Sequence, residues 1–458
     1  MNKNTKKIFD RGLFREAVRN TKVIGILECI LLSVVPLLLY GAISLTMRYS
    51  QPYYDPTPMS LSFLQFDAFL YASFLLFTPI LAGKLFGFLN RRTACDFYHA
   101  IPQTRLCLFF CQYLALLFWS ILAIVLNTLC VSAFALLSPI VEITSWAAVV
   151  PTMFGMLAGV VLVSGAIILA ITITGTPLMN VVVTFMILFL PRVLLTVFRM
   201  LMLNNLPLLV EEHFLPGLRF MLQNNILCTI YSGTVEQWQA VLYTLLLGLL
   251  YLVLAGFFFC RRRSEAAGQS AQSRAMQAVF RLIFSGALSL IPISLIASIW
   301  MNEREELSMA MPLLIVIYVF VVIGYFLFEL ITTRKPSNLL KIFPGLGVLA
   351  VLNAAAVFGI CGGAELAMNF APSADKIDSV CIELQYNSYF DSYAKFITPQ
   401  ISQIRFTDAQ LKSTLAQALE KSVNSIRLSS TSSTYRIYQF EEDVRNYYYD
   451  CDYRIVVG

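Results

Sequence analysis

Nine long apolar runs constrain this chain more than any other feature of its sequence. The runs cover residues 23–46, 66–89, 106–137, 147–174, 178–203, 239–260, 278–300, 309–332 and 342–368. A helix needs about 20 mostly apolar residues to cross a bilayer, and each run reaches that length. The runs are continuous and lack the period-two alternation of barrel strands. The sequence therefore predicts an all-α polytopic membrane protein with about nine transmembrane helices.

The composition agrees with a membrane protein and excludes several other classes. Of the 458 residues, 58% are hydrophobic and 13% are charged, and the mean hydropathy is +0.72. A soluble domain carries about 25% charged residues. These values exclude a soluble enzyme, a disordered chain and a nucleic-acid-binding protein. The net charge of +6 adds little, because the position of each basic residue matters more than the sum.

Basic residues are concentrated in four of the segments that flank the runs. They are Lys3, Lys6, Lys7, Arg11, Arg15, Arg19 and Lys22; Arg91, Arg92 and Arg105; Arg261, Arg262, Arg263 and Arg274; and Arg334, Lys335 and Lys341. Counted from a cytoplasmic N-terminus, all four segments lie inside, and the opposite loops are acidic or poor in basic residues. Because cytoplasmic loops are rich in Lys and Arg, we expect the N-terminus inside and the C-terminus outside.

Two charged residues fall inside the apolar runs. Glu28 lies one turn into the first run, and Arg192 follows Pro191 near the middle of the fifth. A charge at the bilayer centre costs about 2.5–3.5 kcal/mol on insertion scales. Glu28 and Arg192 form either an intramembrane polar pair or a polar spot facing a substrate; alternatively, Glu28 lies near the headgroups and Arg192 reaches outward. The stretch 191–235 is correspondingly either the end of a span or a re-entrant helix pair.

The composition becomes polar after residue 370, which predicts a small α+β extracytoplasmic domain over 371–458. Predicted strands lie at Ser379–Leu384, Gln403–Phe406 and Tyr435–Phe440. A capping box, Thr407 to Gln410, predicts a helix that begins there and continues to about Val423. The last residues, Arg454–Gly458, again have a strand pattern, so an incomplete domain is one interpretation.

Cysteine and histidine give no sign of a metal or cofactor. The ten cysteines show no CxxC spacing, and the two histidines are His99 and His213. We interpret Glu211, Glu212 and His213 as a solvated loop. Cys381 and Cys451 are both predicted outside and are candidates for a disulfide; Cys228 is a third thiol there, so the pairing stays open.

The sequence contains no motif for an enzyme. A phosphate-binding G-x-x-x-x-G-K-[ST] loop, a nucleophile elbow and an HExxH sequence are all missing. We therefore expect neither catalysis nor ATP binding through such a loop on this chain.

The segment between the second and third runs carries the strongest functional signal. Its sequence from Arg91 to Arg105 is RRTACDFYHAIPQTR. It predicts a short amphipathic helix that ends before Pro102. The charged face contains Arg92, Asp96 and Arg105, and the apolar face contains Phe97, Tyr98, Ala100 and Ile101. From the residues alone, such a helix either docks a cytoplasmic partner or lies on membrane lipid.

This segment resembles the first cytoplasmic loop of type-2 ABC exporter permeases. The resemblance is carried by Asp96, Phe97, Tyr98, His99, Ala100, Ile101, Pro102 and Arg105. A second loop, Arg263-Ser264-Glu265-x-Ala267-Gly268, is similar to a run found in a Firmicutes-type branch of that family. The N-terminal Phe9–Lys22 resembles the elbow helix of these permeases, which lies along the inner leaflet. Residues 1–268 resemble the six-span permease core, and the remaining spans and outer domain match less specifically.

The resemblance implies an organisation and a function. The domains would be 1–22 (elbow segment), 23–263 (six-span core), 264–277 (cytoplasmic loop), 278–368 (three further spans) and 371–458 (outer domain). The chain would be a permease subunit in a bacterial plasma membrane, exporting an amphipathic compound or peptide. Its partners would be a separate ABC ATPase subunit, which docks on the first loop, and a second permease chain. The alternative is a membrane-bound sensor or accessory protein that presents an outer ligand-binding domain.

Overall fold

The computed structural model of this chain describes most of the predicted membrane region and parts of the rest. The described residues are 8–50, 59–61, 67–137, 141–143, 149–205, 238–271, 273–302, 307–333, 336, 339–368, 373–377, 380–384, 404–428 and 453–457. Their α-helices are α1 (Arg11–Ser50), α2 (Asp67–Phe86), α3 (Arg92–His99), α4 (Arg105–Leu137), α5 (Val149–Ile173), α6 (Pro177–Asn205), α7 (Trp238–Arg261), α8 (Arg274–Asn302), α9 (Leu307–Thr333), α10 (Phe343–Met368) and α11 (Ala409–Leu428).

The prediction of a helical multi-pass membrane protein is confirmed. Among the described residues, eight helices are long and apolar enough to cross a membrane: α1, α4, α5, α6, α7, α8, α9 and α10. The predicted run 66–89 corresponds to α2, where the apolar stretch Leu75–Asn90 is shorter than a full span. That α2 crosses the membrane, as the second of nine spans, therefore stays a prediction.

The first helix differs from the expected elbow followed by a separate span. α1 is continuous from Arg11 to Ser50, so the amphipathic segment and the first apolar run belong to one helix of 40 residues. No proline occurs near residue 22 to end the helix there; the proline inside α1 is Pro36. α6 likewise continues through Pro191 to Asn205, so the helix does not break at that proline. The rest of the possible re-entrant stretch, residues 206–235, lies outside the described residues.

The chain divides into two compact units. The first contains Met1–Leu195, Pro216–Phe284 and Tyr325–Ile342. The second contains Thr196–Leu215, Ser285–Gly324 and Phe343–Gly458. The first unit thus includes α1 to α5, α7, most of α6, the first part of α8 and the last part of α9, whereas the end of α6 belongs to the second unit.

Small residues bring the helices of the first unit close together. A Cβ atom on Gly165 of α5 would lie 2.8 Å from the Gly248 carbonyl oxygen of α7, and one on Gly248 would lie 2.7 Å from the Leu162 nitrogen. Such close backbone approach is typical of membrane helix pairs. Gly25 of α1 leaves room for a side chain of α4 instead, because a Cβ there would overlap the Trp119 indole. The Trp119 Nε1 donates to Thr21 Oγ1 at 3.0 Å.

The second unit has a smaller apolar cluster and a buried polar contact. Leu201, Ala297 and Cys361 are buried together on α6, α8 and α10. The Ser289 hydroxyl of α8 donates to the Asn353 Oδ1 of α10 at 2.7 Å.

The described strands form two short pairs. β1 (Met59–Leu61) pairs in parallel with β2 (Val141–Ile143), and β3 (Val380–Leu384) pairs antiparallel with β4 (Tyr453–Val457). β3 and β4 match two of the strands expected after residue 370. The described part of Gln403–Phe406 is not a strand and has only an isolated bridge at Phe406. Tyr435–Phe440 lies outside the described residues.

The predicted capping box is wrong in its details. α11 begins at Ala409 and ends at Leu428. The cap is Asp408, whose Oδ2 accepts from the Leu411 backbone N–H at 3.0 Å. An aspartate one residue after Thr407 satisfies the same orphan donors, and a carboxylate is the stronger acceptor.

Candidate functional site

The short helix predicted before Pro102 is confirmed as α3, between α2 and α4. It follows a 3₁₀ turn, Gly87–Asn90, and its last turn is closed by the Ala100 N–H, which donates to the Asp96 carbonyl at 3.0 Å. The chain then turns through Pro102 and enters α4 at Arg105. The proline therefore ends the helical path between two spans, as the sequence predicts.

The faces of α3 differ from the prediction at Phe97. The side chain of Cys95 is fully buried, and Tyr98 stacks on Phe88 with ring centroids 4.2 Å apart. Phe97 instead is 69% exposed, although the sequence places it on the apolar face. In a helix it points about 100° away from Tyr98 and about 200° away from Cys95. Arg91, Arg92 and Asp96 are also exposed, so Phe97 is an aromatic group within a charged surface.

The most buried charged side chain beside α3 is Arg262, which the sequence interpretation counts only as one of four loop arginines. Arg262 is 1% exposed. One terminal nitrogen of its guanidinium donates to the carbonyls of Ile171, Thr172 and Thr174, and the other donates to the Leu89 carbonyl at 2.9 Å. Since a terminal nitrogen carries two hydrogens, at least one hydrogen is shared between two carbonyls of α5 and the turn after it.

Arg105 of α4 binds the backbone beside Arg262. Its Nη1 donates to the Cys260 carbonyl at 3.1 Å and to the Arg262 carbonyl at 2.6 Å. We call Arg105, Arg262 and the carbonyls that they bind the arginine junction. Helix C-termini leave carbonyls without intrahelical donors and carry partial negative charge, so a guanidinium is a suitable partner. The junction thereby joins the ends of α5 and α7 to the turn before α3 and to the start of α4.

A second contact joins the loop after α7 to residues 174–176, the α5–α6 turn. The Gly268 N–H donates to the Gly175 carbonyl at 2.8 Å. Gly268 has φ +83°, a backbone conformation that favours glycine. A Cβ on Gly175 would collide with the carbonyl oxygens of Ala266 and Gln269. Gly175 is therefore required by the close approach of the two loops, and glycine is favoured at position 268 by its positive φ.

The second predicted loop also lies close to α3. Ser264–Ala266 form a 3₁₀ turn, and the side chains of Arg263 and Glu265 are exposed on it. The structure thus brings the two predicted loops together and adds the α5–α6 turn. Thr176 caps α6 ahead of Pro177, with its Oγ1 accepting from the Met179 N–H at 3.4 Å.

Burial controls the ionisation of the groups at the junction. It lowers the pKa of the Arg262 guanidinium to about 10, which leaves the side chain charged at neutral pH. Burial, and then the charge of Arg105, lower the pKa of His99. Burial raises the pKa of the Cys95 thiol, whose sulfur lies 3.7 Å from His99 Nδ1. At neutral pH the junction therefore holds arginine charge beside a neutral imidazole and a neutral thiol.

The start of α1 is also fixed beside this region. Asp10 caps α1 through its Oδ1, which accepts from the Gly12 and Leu13 N–H groups. Its Oδ2 accepts from Gln103 Nε2 at 3.2 Å, in the connection between α3 and α4. The predicted elbow segment and the predicted docking loop are thus neighbours.

Glu28 of α1 is buried. It is 0% exposed and lies beside the Ser120 hydroxyl of α4. Neither carboxylate oxygen makes a hydrogen bond of standard geometry to a described residue. The predicted pair with Arg192 is therefore not formed through a hydrogen bond; Arg192 is half-buried on α6.

A buried ion pair between α8 and α9 is missing from the sequence interpretation. Arg281 Nη1 lies 2.7 Å from Glu329 Oε2, and their side chains are 7% and 5% exposed. Arg281 also lies over the Tyr325 ring at 4.8 Å. Nearby, Phe280 and Phe328 are buried in one cluster with Met179 and Val183 of α6. Opposite charges near the touching ends of consecutive spans were the available signal.

The remaining predicted features are only partly described. Within the described ranges, no group of three or more His, Cys, Asp or Glu side chains has the arrangement of a metal site. Cys228, Cys451, Glu211, Glu212 and His213 lie outside these ranges, so the disulfide and the outer loop stay predictions.

Comparisons with family models, with curated proteins and with solved structures find no match to this chain.

Proposed function

We propose that this chain is the membrane-spanning permease subunit of an ABC transporter, exporting an amphipathic compound or peptide. A separate ATPase subunit binds at α3 and at the loop that follows α7, and a second permease chain completes the transporter. In this proposal the N-terminus and α3 face the cytoplasm of a bacterial cell. α2 also crosses the membrane, as the second of nine spans, and the α+β domain at the C-terminus lies outside.

One observation carries the proposal: an exposed amphipathic helix is fixed to the ends of several spans. α3 presents Phe97 among Arg91, Arg92 and Asp96, while Cys95 and Tyr98 attach the helix to the bundle. Exposed aromatic groups surrounded by charged residues are typical of protein-binding surfaces. A partner bound here would act on the spans through rigid contacts, as a transport ATPase must.

The same face is a poorer match to a lipid-bound helix. Asp96 is exposed beside Phe97 on α3, and a carboxylate is repelled by anionic headgroups. The exposed Glu265 of the second loop adds another acidic group on the same side of the first unit. Mixed charge around one exposed ring therefore favours a protein partner over a bilayer surface.

The decisive experiment is co-purification with a P-loop ATPase encoded beside this chain. We expect the native protein to retain the ATPase in detergent. Phe97→Ala should lower the affinity for the ATPase at least about tenfold, because an anchoring aromatic side chain contributes about 2 kcal/mol or more to binding. Phe320→Ala on α9 is the matched control, because it also removes an exposed ring but from a membrane span.

The proposal has clear failing outcomes. Absence of a bound ATPase from the native protein would refute it. Equal loss of ATPase in the Phe97 and Phe320 variants would show that α3 is not the docking surface. A sensor or accessory protein would give the first of these results, and its outer domain would then be the place to search for a ligand.

A further inference from the structure

We propose that Arg262 is the positioning residue through which movement of α3 is passed to α5 and α7. The inference rests on the proposed docking of an ATPase at α3. Arg262 itself is buried and has no exposed surface with which to bind that partner.

The first argument is the number of chain segments that the Arg262 guanidinium joins. Its acceptors lie at the end of α5 and in the 3₁₀ turn Gly87–Asn90, which leads directly into α3. Its own backbone carbonyl, at the end of α7, is held by Arg105 of α4. This one side chain therefore binds carbonyls that lie 91 and 173 residues before it in the sequence.

The second argument is the strength and shape of these contacts. Charge-assisted hydrogen bonds are about twice as strong as neutral ones, and burial strengthens them further. The planar guanidinium reaches acceptors on two sides at once, whereas a lysine ammonium has a single nitrogen. The neighbouring Arg261 is exposed and lies over the Phe257 ring at 4.0 Å, so it makes no comparable connection.

The third argument is that the segments joined at the junction stay together along the membrane. α5 and α7 are in backbone contact at Gly165 and Gly248. Below the junction, the ring of Phe259 on α7 contacts Phe86, Phe88 and Phe109 at centroid distances of 5.4–6.4 Å. Packed interiors transmit displacement because they contain few voids. A push on α3 is therefore delivered to α5 and α7 as one rigid body, provided that Arg262 holds their ends.

The test measures whether α3 moves together with the end of α5, which is followed from Leu178, four residues after the Thr174 carbonyl that Arg262 binds. Spin labels are placed at Thr93 on α3 and at Leu178 on α6, both exposed, through a non-natural amino acid because the chain has ten cysteines. The labelled permease is assembled with its ATPase in lipid nanodiscs, and the distance distribution is measured without nucleotide, with ATP and with ADP–vanadate. In the native complex we expect one narrow distribution that nucleotide does not change.

Arg262→Gln removes the charge and most of the donors, while Arg261→Gln is the matched control with the same change at an exposed position. We expect Arg262→Gln to retain the ATPase but to give a broader distribution that shifts with nucleotide. Arg262→Lys should give a smaller shift of the same kind, and Arg261→Gln should behave as the native protein. A residue that served only to fold the chain would instead lower the yield and the amount of bound ATPase together.

Each remaining outcome counts against the proposal. A native distribution that shifts with ATP shows that the parts do not move as one body. A nucleotide-independent, narrow distribution in Arg262→Gln shows that other contacts hold them. If the native permease binds no ATPase, the proposed function fails. The distribution without nucleotide then decides the structural half alone, and no broadening in Arg262→Gln would overturn it.

Discussion

Two buried glutamates in membrane helices have opposite surroundings. Glu329 of α9 lies 2.7 Å from the Arg281 guanidinium of α8. Glu28 of α1 is buried just as completely, yet neither of its oxygens makes a hydrogen bond of standard geometry to a described residue. The sequence interpretation singles out Glu28 and passes over Glu329.

The difference separates a structural role from a functional one. Removing one partner of a buried ion pair destabilises a protein strongly, although the intact pair need not add stability. A carboxylate that is buried without a partner is expensive, and such residues inside membranes mark functional positions by default. We therefore assign Arg281 and Glu329 to the packing of α8 against α9, and Glu28 remains the intramembrane candidate for a transport role.

The largest effect is expected from breaking the ion pair. Glu329→Gln leaves Arg281 buried without a countercharge, which should lower the free energy of unfolding by about 3–5 kcal/mol. The measurement is the midpoint of thermal unfolding of the detergent-solubilised protein, monitored by intrinsic fluorescence.

The double variant Arg281→Met with Glu329→Leu is the control for that loss. It removes both charges and keeps similar volumes, so its midpoint should return close to the native value. A single variant as stable as the native protein would show that the pair contributes nothing. The contrast with Glu28 would then disappear.

A much smaller effect is expected at Glu28. Glu28→Gln keeps the shape of the side chain and removes an ionisable group whose oxygens make no hydrogen bond of standard geometry to a described residue. Its free energy of unfolding should stay within about 1 kcal/mol of the native value, or rise. The same thermal midpoint measures it. A loss as large as that of Glu329→Gln would mean that Glu28 has a strong partner, and the contrast between the two glutamates would be wrong.

The parts of this architecture that are readable from sequence depend on local patterns. Continuous apolar runs predict spans, because a bilayer demands some 20 apolar residues in a row. The segment before Pro102 predicts α3, since proline disfavours helix at the residue preceding it. The positions of β3 and β4 also follow from local strand patterns.

The parts that sequence does not reveal depend on contacts between distant residues. Three consecutive arginines, Arg261 to Arg263, count equally as loop charges in the sequence, yet of the three only Arg262 is buried. Its acceptors are backbone carbonyls, which every residue type carries, so no sequence signal identifies them. Phe97 was placed on the wrong face because a helix of eight residues is too short for its periodicity to be decisive.

The smallest effect is expected from protonation of His99, which adds a positive charge beside the arginine junction. Burial and Arg105 lower the pKa of His99 below its ordinary value near 6.5, whereas the nearby Asp96 opposes that shift. The unfolded segment therefore binds a proton more readily than the folded one. The stability of α3 is fully present above about pH 6.5 and is lost as the pH falls through the folded pKa. Hydrogen exchange of residues 91–104, corrected for intrinsic rates, should show protection that falls in the native protein as the pH drops below about 6.5. His99→Gln should remove that dependence, and exchange in α5 is the internal control. Equal pH dependence in the native and His99→Gln proteins would show that another group controls the protection of this segment.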